Sequence, residues 1–279
     1  MIEFAHVNKK MNRKYILQDI NCRLGYGVYG LLGPNGAGKT TWMRCMTNLY
    51  QVTDGCIKID GIPLSKWKKQ GIGYLPQSFG IFQELNVWET MKYFCCLKKI
   101  PPKKQKEEIE RCLESVFLID KRKEKGKRLS GGMVRRVGVA QTLIGHPEIL
   151  LFDEPTAGLD PEERMNFKNI ISQYGKEETV IISTHIVDDI EACCDHVIVM
   201  NHGKMCRIGT CSEIRETAVE KVYECLKGEE EQIQGQYVLE RRYESKGRVH
   251  HRILTSESPD MKPMEPSLED GYMCIIKGI

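Results

Sequence analysis

Short apolar runs separated by glycine-bearing turns mark the first sixty residues. "IEFAHV", "INCRL" and "VYGLLG" read as strands, and "CIKID" as another beyond a helix expected to follow Lys39. From Gln77 to about Gly145 the period changes. "LNVWETMKYFCCLKKI" puts Val87, Met91 and Phe94 on one helical face, with Pro101 and Pro102 expected to end that helix. Strand-like runs then return: "EILLFDEP" and "TVIISTH" are continuous apolar stretches, the pattern of parallel strands buried on both faces. Between them, "DPEERMNFKNII" offers Asp160 as N-cap, Pro161 at the first helical position and acids in the first turn. Strand, helix and strand in this order predict an α/β fold on a parallel sheet, with the Gln77 to Gly145 helices inserted as a separate lobe. Beyond Cys211 the pattern weakens to two short strands around Lys246 and Gly247 and a closing helix at "EPSLEDGYMCII", a small appended α+β piece.

Composition narrows this picture. At 279 residues the chain has room for a main domain with smaller additions. Its formal charge of +3 is too even to imply nucleic-acid binding over the whole surface. The sign is unevenly spread, however: Lys98 to Arg128 holds 12 Lys/Arg and 6 Asp/Glu. That excess reads as a solvated helical face, with a partner or anionic headgroups as the alternative. The 12 cysteines include the adjacent pairs Cys95-Cys96 and Cys193-Cys194 and show no C-x-x-C spacing. They are therefore expected to be small apolar fillers, not a disulfide framework or a zinc site. Met1 to Lys10 has no signal-peptide pattern, and no apolar run approaches the ~18 residues of a membrane span. The expectation is a cytoplasmic chain that does not itself cross a bilayer.

The candidate chemistry begins at "GPNGAGKTT", Gly33 to Thr41, a G-x-x-x-x-G-K-T pattern between an expected strand and an expected helix. Gly33, Gly36 and Gly38 let the backbone N–H groups of the loop, with Pro34, Asn35 and Ala37 between them, curl around an anion. Lys39 is placed to reach the β- and γ-phosphates of a nucleotide, and the Thr40 hydroxyl, followed by Thr41, to ligate Mg²⁺. Asp153 and Glu154 end the "ILLF" strand, where the carboxyl ends of parallel strands meet ligands. They read as Mg²⁺ holder and general base. His185 ends the next strand, where an imidazole can contact the γ-phosphate and orient water. Gln77, beside Pro76 at the junction "YLPQSFG", either senses Mg²⁺ or water through its amide or simply marks a turn.

"RLSGGMVRRVGVAQTLIG" contains a second glycine-rich helix start. Ser130 caps the helix, and Gly131 and Gly132 leave its first N–H groups uncovered, a second anion site. One ATP needs one such loop. The economical arrangement is that this helix faces the nucleotide of another chain, two subunits packing head to tail with two-fold symmetry.

The order of "GPNGAGKTT", Gln77, "LSGGM", "ILLFDEP", "GLD" at Gly158 to Asp160, and His185 resembles the ATP-binding cassette (ABC) domain of ABC transporters over roughly Ile2 to Arg215. "YGLLGPNGAGKTT", "HIVDDIEACCDHVIVMNHGK" and "EPSLEDGYM" resemble the bacterial ABC-2 type exporter branch. The resemblance implies a P-loop NTPase (RecA-like) core with an antiparallel β subdomain, a helical subdomain over about 78–145 within a domain of 1–215, and a C-terminal extension over 216–279. It implies ATP and Mg²⁺ as cofactors and a second ATP-binding subunit, homodimeric or heterodimeric. It also implies integral membrane permease subunits as partners, whose coupling helix meets the Gln77 loop and the helical lobe, and a peripheral place on the cytoplasmic face of the cell membrane. Asp160 touches the opposite site in that scheme. The expected function is an ATP-hydrolysing subunit that drives export, with no nucleic-acid partner. The alternative is a soluble ABC-type ATPase acting on ribosomes or DNA, though this chain has one cassette and no sustained heptads. A cassette that binds without hydrolysing is disfavoured by Glu154 and His185. Two positions depart from the family pattern: the adenine-stacking aromatic falls near Met11, with Tyr15 as substitute, and Met133 stands where glutamine is usual.

Overall fold

The computed structural model describes residues 1–67, 71–233, 236–245, 247–257, 259 and 261–279. In chain order the elements are β1 (Ile2–Met11), β2 (Lys14–Leu24), β3 (Gly27–Leu32), α1 (Lys39–Met46), β4 (Asp54–Ile59), β5 (Ile62–Pro63), β6 (Ile72–Leu75), α2 (Val87–Leu97), α3 (Pro102–Ser115) and α4 (Gly131–Leu143). There follow β7 (Ile149–Asp153), α5 (Pro161–Ile171), β8 (Thr179–Thr184), α6 (Val187–Glu191), β9 (His196–Asn201), β10 (Lys204–Thr210), α7 (Cys211–Arg215), β11 (Val222–Leu226), β12 (Tyr237–Ser245), β13 (Arg248–Thr255) and α8 (Leu268–Lys277).

Among the described residues the central sheet runs β10-β9-β3-β8-β7-β6, parallel except for the antiparallel β9–β10 edge. Every residue of β3, β7 and β8 is buried, as continuous apolar runs require of strands covered on both faces. The register decides the function. Leu32 lies beside Thr184, Asp153 beside Ser183, and Leu75 beside Phe152, so the chain segments leaving β3, β6, β7 and β8 emerge at one edge. That edge is where an open parallel sheet gathers ligand-binding loops.

Strands β2-β1-β4-β5 form an antiparallel sheet. Ile2, Phe4 and Val7 point from β1 into a core shared with α1, where the Phe4 ring stacks on Trp42 with centroids 4.9 Å apart. Strand β6 escaped the sequence reading because four residues are too few to show alternation, and β10 because most of its side chains face solvent.

Helices α2 to α4 bury Val87, Met91, Ile109, Leu113 and Val137 in a core that continues without a break into Leu75, Leu150, Phe152 and Ile182 of the sheet. Helix α2 stops at Leu97, before the prolines. Pro102 instead occupies the first turn of α3, where its missing N–H would be unbonded anyway. Of the basic run from Lys98 to Arg128, two members turn inward and tie down the end of α4. Lys98 Nζ donates to the carbonyls of Ile144 at 2.7 Å and Thr142 at 3.3 Å, and Arg111 Nη2 donates to that of Leu143 at 2.8 Å. Burial pushes the Lys98 ammonium down from 10.5 to about 8. A base depressed in the fold takes up fewer protons there than in the unfolded chain between those two values, so its share of stability rises as pH increases from about 8 to 10.5. Unfolding curves of wild type and Lys98→Met should therefore differ in slope across this window, the wild type gaining relative to the variant. Parallel curves would mean the ammonium is solvated. The difference between the two chains is the quantity to read, because burial raises the Cys45 thiol from 9.0 to about 11 with no contribution from Lys98, and so lowers stability between those values in both.

The chain after α7 forms the antiparallel sheet β11-β13-β12 and the capped helix α8. The expected strands flank Gly247, while Lys246 lies outside the described residues. Helix α8 returns to the central sheet, Leu268 packing in one cluster with Leu32, Val197, Val199 and Ile214. All 12 cysteines are free, five of them buried.

Candidate nucleotide site

Gly33 follows β3 at a point of close approach, where a Cβ would sit 2.3 Å from the Met200 carbonyl oxygen. Gly38, with φ of 106°, is the N-cap of α1, and its left-handed backbone turns the loop into the helix. The loop Pro34 to Thr41 then walls a cavity of about 310 Å³, together with Ile16, Gln77 and Glu154. A Cβ built on Gly36 meets no atom within 4 Å, so the loop's outer side is open to a ligand. The Lys39 ammonium, 7% exposed, donates to the Gly33 carbonyl at 2.6 Å and lies 3.6 Å from Glu154. Burial lowers its pKa, opposed by the charge of Glu154. A desolvated cation at a helix N-terminus inside a ring of backbone N–H groups is an anion cradle of phosphate size.

Opposite the loop stand the acids that end β7. Asp153 is fully buried, and its Oδ1 accepts from Ser183 Oγ at 2.6 Å and Thr40 Oγ1 at 3.1 Å. Glu154 has φ of 48°, a left-handed conformation that costs a non-glycine residue about 1–3 kcal/mol. Three bonds hold it there: its N–H donates to Ser183 Oγ at 2.9 Å and to the Ser183 carbonyl at 3.1 Å, and its carbonyl accepts from Arg135 at 2.6 Å. The strained turn points the carboxylate into the cavity, where Oε2 meets His185 Nδ1 at 3.0 Å. His185 itself is half-exposed, free to face a ligand with its other nitrogen. A carboxylate so fixed, next to an imidazole and facing an anion cradle, can take a proton from water.

A cation fits as well. The Thr40 hydroxyl, the Asp153 carboxylate and the Gln77 amide are hard oxygen donors of the kind Mg²⁺ takes. Among the described residues no group of three or more His, Cys, Asp or Glu gathers to hold a metal.

Ser130, Gly131, Gly132 and Asp160 lie outside this cavity. Ser130 caps α4 by accepting from the Met133 N–H at 3.1 Å, and Gly131 faces open space. Asp160 caps α5 by accepting from the Glu163 N–H at 2.8 Å. The two helix starts meet, since a Cβ on Gly132 would lie 2.5 Å from the Glu163 side chain, which pairs with Arg136 at 3.0 Å. Met133 packs on the core of the helical lobe.

A search against family models matches residues 17–157 to the family described as ABC transporter. The chain belongs to the ABC transporter family. Membership brings ATP binding and hydrolysis with it. Among curated ABC relatives, the methionine import ATP-binding protein MetN 1 of Staphylococcus epidermidis is 32% identical over 77% of this chain and 67% of its own length. The linearmycin resistance ATP-binding protein LnrL of Bacillus subtilis is 32% identical over 77% of this chain and 70% of its own. Of the solved ABC structures, CbiO1 from Clostridium perfringens, described as part of the transporter complex CbiONQ, superposes with a TM-score of 0.69 at 26% identity, over 78% of this chain and 94% of that one. A dimeric cassette bound to ADP and Pi shares the fold with a TM-score of 0.67 at 24% identity, over 75% of this chain and 98% of its own.

The ABC site holds three side chains that sequence reading did not single out. Ser183 bridges the two acids. Arg135 fans onto the carbonyls of Pro76, Gln77, Asp153, Glu154 and Pro155 at 2.6 to 3.2 Å. Tyr74 OH lies 3.5 Å from Asp153 Oδ2. Ser183 was in reach, on β8 two residues before His185, which follows the end of that strand. Arg135 was not, because its partners are backbone atoms. Ile16 lines the cavity, whereas Met11 ends β1 at the hairpin tip and Tyr15 turns outward beneath the Lys10 ammonium at 5.0 Å.

Proposed function

We propose that this ABC chain hydrolyses ATP as one half of a two-fold dimer and that the dimer drives export through separate membrane subunits on the cytoplasmic face of the membrane. The split site carries the reading. Lys39, Thr40 and Glu154 line one cavity, with Asp153 bonded to Thr40 and His185 to Glu154, while Ser130, Gly131 and Asp160 stand exposed outside it beside the half-buried Gly132 as a second anion-binding edge. In the dimer that edge closes over the γ-phosphate held by the opposite loop. Lys39 and the loop N–H groups bind the phosphates. Thr40, Asp153 and Gln77 would hold Mg²⁺, which when bound supplies neutralising charge between the β- and γ-oxygens. Glu154 takes a proton from the attacking water, and His185 orients it from the far side of the carboxylate. No helix among the described residues is long and apolar enough to cross a membrane, in keeping with separate spanning subunits. Leu49, Leu64, Trp67, Ile72 and Tyr74 line an apolar groove of about 230 Å³ beside α1, a seat for such a subunit that reaches Asp153 through Tyr74. The export direction rests on the exporter-like motifs and on LnrL, named for resistance; MetN, named for import, favours the opposite direction.

Complementation tests the shared site. A Lys39→Ala chain and a Gly131→Asp chain are each expected to be inactive, and mixing them should restore turnover, because mixed dimers own one site with both an intact loop and an intact capping edge. Mixtures as inactive as their components would overturn the dimer. In the same assay Met133→Gln should keep its activity, since the thioether packs in the lobe and the N–H groups beside it do the binding. Affinity isolation from detergent-solubilised membranes should recover a polytopic partner; recovery with ribosomes or DNA instead would favour the soluble alternative.

A further inference from the structure

A cavity of about 490 Å³ lies between α6 and the C-terminal sheet, away from the nucleotide site. That volume falls in the range of small-molecule pockets, ~300–1,000 Å³. Glu240 forms part of its wall with a side chain 7% exposed, and among the described residues no hydrogen bond reaches Oε2 of that carboxylate. Arg252 comes within 3.7 Å of the same oxygen, but its hydrogen bonds go elsewhere: Nε and Nη2 donate to Asp270 at 3.2 and 2.6 Å, Nη2 also to the Glu265 carbonyl at 3.0 Å, and Nη1 to Met264 Sδ at 3.9 Å. Burial, reinforced by Asp270 and Glu269, holds the Glu240 carboxyl above the usual carboxylate range. A carboxylate desolvated to this degree, with one cation at 3.7 Å, gains from a further donor offered by the cavity.

The rest of the lining selects the sign of that ligand. Asp188 and Glu269 add two carboxylates, and Glu191 a third that is paired with Arg215, against the guanidiniums of Arg241 and the already engaged Arg252. An anion would meet this excess of like charge at close range. Val187 and the Tyr243 ring, the latter stacked on His250 at 5.4 Å, provide apolar surface, and an aromatic face attracts cations.

We propose that this cavity binds a small organic cation, an ammonium or guanidinium group on an apolar body, whose N–H groups donate to Glu240, and that occupancy adjusts ATP hydrolysis through α6. The connection is short. Helix α6 begins two residues beyond His185, and its Asp189 accepts a 2.6 Å bond from Thr156, two residues beyond Glu154. A body seated against α6 therefore bears on both ends of the hydrolytic segment. The coupling half of this proposal rests on the hydrolytic reading above, whereas the binding half does not.

The test uses thermal unfolding and ATP turnover of the full chain with phenethylamine, cadaverine or agmatine, against 2-phenylethanol and potassium chloride at matched ionic strength. At least one amine should raise Tm by about 2–4 °C once it exceeds its Kd several-fold. The alcohol and the salt should not, and Glu240→Gln, close in shape but without charge, should lose the shift. The same amine should change turnover in wild type and not in Glu240→Gln. No shift with any amine, or an equal shift in the variant, overturns the site; a bound amine that leaves turnover unchanged overturns the coupling. Turnover missing from every sample would count against the hydrolytic reading, and the Tm measurements would still decide the site.

Discussion

A Glu154→Gln chain is expected to lose ATP turnover by about 10²–10⁴-fold, the range set by removing a general base, while still binding ATP. The amide keeps the shape of the carboxylate and can still meet His185, so the loss reads proton transfer rather than packing. Binding should tighten for an electrostatic reason. The buried Lys39 ammonium lies 3.6 Å from Glu154, and with that charge gone nucleotide phosphate becomes its counterion. The variant should therefore show a larger rise in Tm on adding ATP and Mg²⁺ than the wild type, and should migrate as a dimer in size-exclusion chromatography with ATP. A variant that hydrolyses normally would place the base elsewhere. One that stays monomeric with ATP would sink the shared site.

Arg135→Ala is expected to remove both stability and turnover. Its guanidinium satisfies five carbonyl oxygens in two segments, Pro76-Gln77 and Asp153-Glu154-Pro155. Charged hydrogen bonds contribute about 1.5–3 kcal/mol each and do not add fully, so a loss of about 3 kcal/mol or more in denaturant unfolding is anticipated. Turnover should fall further than stability accounts for, because the Glu154 carbonyl is one of the anchors that hold its residue at positive φ. Arg135→Lys should not rescue it, since a single ammonium with three donors cannot span a fan that a planar guanidinium covers. Normal kinetics in Arg135→Lys would mean that charge rather than geometry is what α4 supplies there. As α4 also carries Ser130 and Gly131, this residue ties the edge offered to a partner to the chain's own acids.

Legibility in the sequence followed how local each signal is. The phosphate loop, the acids of β7 and His185 were readable because each lies at the end of a continuous apolar run, and such runs declare a buried strand without knowledge of its neighbours. The caps Ser130 and Asp160 were readable because a cap acts three residues away. Arg135 was hidden by the opposite circumstance. Its partners are 18 to 59 residues distant, and no spacing rule covers a side chain that bonds to main chain across a fold.

The sequence by itself determined the membership in a phosphate-binding α/β class, the residues proposed to hold phosphate and move a proton, and the second capped glycine edge, since all of these depend on residue type and spacing within one turn or one strand. Only the tertiary structure decided that β3, β7 and β8 deliver those residues to one edge, that Glu154 is held in a strained turn, and that the Glu240 side chain is buried in the wall of a cavity beside α6. Strand order and desolvation are properties of neighbours brought together from distant parts of the chain, and periodicity along the chain carries no record of them.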